Sequence, residues 1–162
     1  MRILHRIVIY LIVPLAIAGL LYLNAEIASE KYGVAQPKAG QYLVEITGTD
    51  QTVTAEAGEE ITIPVTVRNS GSLPWSSGGD RVIFLSYHIH TESGGDTAAT
   101  EGERTSLPQT VSPGGEATVD LEVSAPEKAG KYTLEIDLVY EGVTWFADQG
   151  SETLKLPMEI TD

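Results

Sequence analysis

Apolar residues recur at every second position through most of this chain. Tyr42, Val44 and Ile46 alternate with polar or smaller neighbours, and Ile61, Ile63, Val65 and Val67 alternate with Thr62, Pro64, Thr66 and Arg68. Ile83, Leu85, Tyr87 and Ile89 form another such row, as do Ala117, Val119, Leu121 and Val123. The clearest is Tyr132, Leu134, Ile136, Leu138 and Tyr140, set against Thr133, Glu135, Asp137, Val139 and Glu141; Leu154, Leu156, Met158 and Ile160 follow. A period of two places one face of a strand in a core and the other in water. Between the rows lie turn clusters, among them Asn69-Ser70-Gly71, Ser76 to Asp80, Ser93 to Asp96 and Pro113-Gly114-Gly115. Six or seven short strands so punctuated predict an antiparallel β-sandwich. Pro64 and Pro157 fall on outward positions of their rows, which suits edge strands or bulges.

The first forty residues follow a different pattern. The seventeen uncharged residues Ile7 to Leu23 are preceded by Arg2, His5 and Arg6. That run is at the short end of what spans a hydrocarbon core as a helix. Arg2 and Arg6 on one side, against Glu26 and Glu30 on the other, place the N-terminus in the cytoplasm. The alternative is a cleavable signal peptide, with Ala16-Ile17-Ala18 as its small-x-small site. Cleavage there would leave Gly19-Leu20-Leu21-Tyr22-Leu23 as an apolar N-terminus, so the uncleaved anchor is preferred. The expected organisation is a transmembrane anchor over 1–23, a stalk over 24–40 ended by Gly33, Pro37 and Gly40, and a sandwich over 41–162. The expected location is the cell membrane, single-pass, with the sandwich periplasmic or extracellular.

Charge and composition narrow the function. The formal net charge is −13, and removing Arg2 and Arg6 leaves −15 on the rest. Such a surface repels phosphate backbones, which argues against nucleic-acid binding. With no cysteine in the chain there are no disulfides, thiolate metal sites or lipid-attachment cysteine, and the fold rests on its hydrophobic core.

Two local features turn the sandwich into an immunoglobulin-like one. Ala125-Pro126 followed by Gly130-Lys131-Tyr132 has the pattern of a late strand opening with a tyrosine corner, whose hydroxyl ties back to upstream backbone. Val111 to Glu116, leading into the row from Ala117, has the loop-then-strand pattern that precedes strand E. The stretch Val67-Arg68-Asn69-Ser70-Gly71-Ser72-Leu73-Pro74-Trp75 resembles a family of Ig-like domains, and so do Leu85-Ser86-Tyr87, Arg104 to Pro108, Pro113-Gly114, Gly130-Lys131-Tyr132 and Leu138 to Phe146. The family occurs in bacterial envelope and polysaccharide-related proteins and is similar to the central four-tryptophan domain of selective-autophagy receptors. The resemblance covers about residues 42 to 160 and implies a non-catalytic binding or packing module. With only Trp75 and Trp145 present, a surface needing four tryptophans does not carry over.

Residues with chemistry are few. His88 and His90 share a strand face and form a two-nitrogen clamp for zinc or copper, with Asp80 or Asp96 as third donor. Without a further His or any Cys, no metal or other cofactor is expected. No G-x-S-x-G, G-x-x-x-x-G-K-[ST] or G-x-G-x-x-G occurs, so no enzyme is expected. Trp145 and Phe146 cannot both point inward on one strand, and Trp75 sits in a loop. Trp75, Trp145 and Phe146 are therefore the expected partner-binding residues. The function expected is a non-enzymatic membrane accessory or scaffold subunit, braced against an integral membrane protein complex through helix and sandwich and seated in the lipid bilayer. The alternative is a carbohydrate-binding module of envelope polysaccharide assembly, stacking sugar on Trp75 or Trp145.

Overall fold

The computed structural model describes residues 40–79, 82–91 and 100–162. They belong to the compact unit Ala39–Asp162. Ten strands follow in order: β1 (Val44–Thr47), β2 (Val53–Glu56), β3 (Glu60–Asn69), β4 (Ile83–Thr91), β5 (Thr100–Glu101), β6 (Thr105–Ser106), β7 (Glu116–Ser124), β8 (Gly130–Tyr140), β9 (Thr144–Trp145) and β10 (Leu154–Thr161). A 3-10 turn spans Ala147–Gln149.

The strands form two sheets. Sheet A has the order β1-β3-β7; sheet B has the order β2-β10-β8-β4-β5, with β6 also pairing β4 and β9 pairing β8. The pairs are antiparallel except β2 with β10, which run parallel. The long rows of alternating residues become β1, β3, β4, β7, β8 and β10, and their apolar positions meet between the sheets. Val65, Val67, Leu85, Leu121, Val123, Leu134, Ile136 and Leu138 are all fully buried. Each such side chain contributes about 1.5–3 kcal/mol when taken from water. Pro64 lies beyond the part of β3 that pairs with β1, and Pro157 before the part of β10 that pairs with β2. Each proline thus has a strand on one side only, where a missing N–H is cheapest.

The corner expected at Tyr132 is present: its hydroxyl donates to Lys128 O at 2.7 Å. At the opposite end, Asn69 is fully buried and satisfied three ways. Its Nδ2 donates to Leu73 O (2.8 Å) and Val111 O (3.0 Å), and its Oδ1 accepts from Gly71 N (3.1 Å). Trp75 and Val111 exchange backbone bonds of 2.9 Å each, which closes the loops over this end of the core.

The fold class expected from the sequence requires one correction. Among the described residues the architecture is all-β, and no helix is long and apolar enough to cross a membrane. The run Ile7–Leu23 and the stalk up to residue 39 lie outside the described residues. The sandwich thus stands as the fold of the described residues, and the transmembrane helix that was to precede it has no support among them.

Candidate functional site

Chemistry-bearing side chains collect on the outer face of sheet B, where β4, β8 and the β9 hairpin lie side by side. Alternation along β4 puts Ser86, His88 and His90 outward, and cross-strand pairing sets them opposite Asp137, Glu135 and Thr133 of β8. After Tyr140 the chain turns back as β9, Trp145 pairing with Val139, and the 3-10 turn follows. This return covers part of the sheet face. Asp137 and Val139, on the polar side of their row, are consequently 2% and 4% exposed.

The parity argument at Trp145 and Phe146 resolves as one residue in and one out. Phe146 is fully buried and meets Trp75 and Tyr42 edge-on, with ring centroids 5.7 and 5.5 Å apart. Trp75 is likewise fully buried, and its indole Nε1 has no hydrogen-bond partner among the described residues. Both expected partner-binding roles are therefore corrected to core packing: Trp75 because its loop folds over the end of the sandwich, Phe146 because it follows an outward residue on a strand. Trp145 alone of the three is partly exposed.

Trp145 is held from two sides of the sequence. The His88 ring lies 4.4 Å from the indole and the Arg104 guanidinium carbon 5.1 Å from its centroid, a cation–π contact. Arg104 is itself fixed by Glu141 (2.9 Å), Glu101, Gly102 O (3.1 Å) and Ser86 Oγ (3.2 Å). Burial opposes its charge, but the bonds to Glu141 and Glu101 outweigh that and raise its pKa further. Gly102 is required here for space, because a side chain at that position would run into the Tyr87 ring. Sequence reasoning named neither Arg104 nor Asp137 as site residues. A lone Arg following two acids and an Asp in an alternating row carry no distinguishing signal.

Beside the indole lies an open depression of about 300 Å³ lined by His88, His90, Glu135, Asp137, Trp145, Ala147, Asp148 and Thr153. Burial holds the His88 imidazole below its ordinary pKa, against the pull of Glu101 and Glu135. Glu135 is the hub of the floor. Its Oε2 lies 2.8 Å from His90 Nε2, and its Oε1 accepts from Thr153 Oγ1 (2.7 Å) and Lys155 Nζ (3.2 Å). Burial would raise its pKa, but those partners more than offset this and hold it low. Asp137 has no such cation. Burial pushes its carboxyl up to about 6, although Ala147 N (3.0 Å) and Leu138 N (2.7 Å) donate to it and pull the other way.

His88 and His90 do share the face, yet among the described residues no group of three or more His, Asp or Glu side chains is placed to hold a metal ion. The nearest carboxylate, Glu135, is already engaged by Thr153 and Lys155. Asp80 and Asp96 lie outside the described residues. What the arrangement offers is a pre-ordered aromatic–guanidinium surface beside an acidic hollow.

A family model described as the Ig-like domain from next to BRCA1 gene matches residues 47–149. That span runs from the end of β1 to the end of the 3-10 turn, and so includes β2 to β9 and Trp145 but not β10. No curated protein matches the chain. Among solved structures, the CARDB domain of a Pyrococcus furiosus protein is similar over 74% of this chain and 93% of its own, at 16% identity and a TM-score of 0.44. The alkylpurine DNA glycosylase AlkC of Pseudomonas fluorescens is similar over 82% of this chain and 33% of its own, at 15% identity and a TM-score of 0.47. A Listeria innocua beta-glucosidase is similar over 74% of this chain and 16% of its own, at 11% identity and a TM-score of 0.44.

Proposed function

The chain belongs to the family of the Ig-like domain from next to BRCA1 gene, and from that premise we propose that it is a non-enzymatic protein-binding module whose partner seats on Trp145. The observation that carries this reading is the state of that indole. It is partly exposed on an outer sheet face and already held by Arg104 and His88. Tryptophan and arginine are the residue types over-represented among interface hot spots, and a side chain ordered in advance loses little entropy on binding. Glu101, Glu141, Glu135 and Asp148 around it supply a polar, acidic rim. In this role the module is an accessory or scaffolding part of a larger protein assembly. A sugar-stacking role is less well supported, since the indole is already engaged by an imidazole and a guanidinium.

Site-specific photo-crosslinking tests the reading. A photoreactive phenylalanine analogue at position 145 is expected to join the full chain to one stoichiometric partner in its native extract. The same analogue at Thr62, on the outer face of sheet A, should not. Equal yields from the two positions, or none from position 145, would refute the assignment.

A further inference from the structure

Sheet A leaves β7 with a neighbouring strand on one side only among the described residues. Hydrogen-bond parity tells which backbone groups face the open side. Asn69 N donates to Gly115 O and Ala125 N to Glu59 O, at the two ends of the β3–β7 ladder. Odd-numbered residues of β7 therefore bond to β3. The even-numbered ones, Glu116 through Ser124, aim their N–H and C=O groups away from it. Two further contacts agree. Ser124 N donates to Tyr87 Oη (2.9 Å) and Glu122 N to Thr105 Oγ1 (3.4 Å), both outside sheet A. The hydroxyls of Thr66 and Thr118 approach to 3.1 Å, as side chains do in the non-hydrogen-bonded pairs of an antiparallel ladder.

Those two capped amides close one end of the edge. At Glu116, Thr118 and Asp120 no strand lies alongside among the described residues. The connection from β6 does not supply one. Pro108 and Pro113 punctuate it, and Val111 bonds to Trp75 instead. An open edge of this kind is a template for another chain.

Charge selects what can add to it. Glu116, Asp120 and Glu122 all point to the exposed face, and residues 116–124 contain no Lys or Arg. A second copy of β7 alongside would set carboxylates opposite carboxylates, which repel. A strand with Lys or Arg at alternate positions would set cations opposite them. Its intervening side chains would face the inner layer beside Val119 and Leu121, and so would be apolar. We propose that the open edge of β7 is a strand-addition site for an extended segment of a partner protein, with basic residues at every second position and apolar ones between. This site is on the other sheet from Trp145 and does not depend on the reading of that residue.

The test titrates isotope-labelled full chain with a capped peptide of about seven residues, lysine alternating with valine. Amide shift changes and slowed hydrogen exchange are expected at Glu116, Thr118 and Asp120, with affinity falling steeply as salt is added. Thr118→Pro removes one outward N–H and no backbone bond within sheet A, though it also gives up the hydroxyl contact to Thr66, and should weaken binding at least tenfold. Glu116→Gln with Asp120→Asn should also weaken it and flatten the salt dependence, and this pair serves where the proline variant does not fold. A glutamate–valine peptide should leave the edge unperturbed. Shifts confined to the Trp145 face, equal affinity in the variants, or no binding of the lysine peptide at millimolar concentration would each overturn the proposal.

Discussion

Asp137 lies on the outward side of β8, yet β9 and the 3-10 turn fold over it and leave it 2% exposed. Its carboxylate accepts two backbone N–H groups and faces Glu135 and Asp148 rather than a cation. The folded pKa of about 6 stands above the ordinary 3.8. Between those values the folded chain keeps a proton that the unfolded chain has released. The stability from this group is therefore fully present below about pH 4 and lost as pH rises through 6, with a slope of at most about 1.4 kcal/mol per pH unit. Urea unfolding from pH 4.5 to 7 should show this fall in the native chain and not in Asp137→Asn. Asparagine keeps one acceptor for two donors, so the variant's stability is offset throughout and the slope is the readout. Parallel curves would show that Asp137 does not titrate in this range.

At the level of elements, β3, β4, β7, β8 and β10 were legible because each is long enough to repeat its alternation, and β1 because Tyr42 extends its short row. Strands β2, β5, β6 and β9 are two to four residues long and hold too little pattern to be read. The parallel pairing of β2 with β10 is likewise invisible to periodicity. The return of residues 144–149 over sheet B had the largest consequence for the site. It buried Asp137 on a face that alternation marks as wet, and it divided Trp145 from Phe146. Only the division was foreseeable, from parity, and not which residue would face outward. Trp75 could not be placed at all from its loop, since its burial depends on the distant Val111. Arg104 joins these short elements, linking the segment between β5 and β6 to Glu141 in the β8–β9 turn and to the indole. Arg104→Lys cannot keep this fork of contacts and should cost about 1–2 kcal/mol in chemical unfolding. The emission of the Trp145 variant chain subtracted from that of the native one should move to longer wavelength as the indole loses its cover. An unchanged spectrum would mean that His88 alone orders the ring.

For the molecule as a whole, 23 acidic residues stand against 10 basic ones, and the formal net charge is −13. Ion pairs offset only part of this. Arg68 and Glu45 are 3.8 Å apart and more than half exposed, a geometry worth little. Arg104 meets two carboxylates, Glu101 and Glu141, and Lys155 pairs with Glu135. Salt screens both attraction and repulsion, with a Debye length of about 10 Å at 0.1 M and about 3 Å at 1 M. Because carboxylates outnumber cations about two to one, repulsion has more terms to lose, and screening should favour the compact state. Calorimetric unfolding of the full chain at pH 7 should show Tm rising by a few degrees between about 0.02 and 0.5 M sodium chloride. The rise should shrink as pH falls into the carboxylate range and the excess charge is titrated away. A Tm that falls with salt at pH 7 would mean that the Arg104 and Lys155 pairs outweigh the distributed repulsion. The acidic surface would then act through those few contacts, and the electrostatic selection argued for the β7 edge would have to come from Glu116, Asp120 and Glu122 alone.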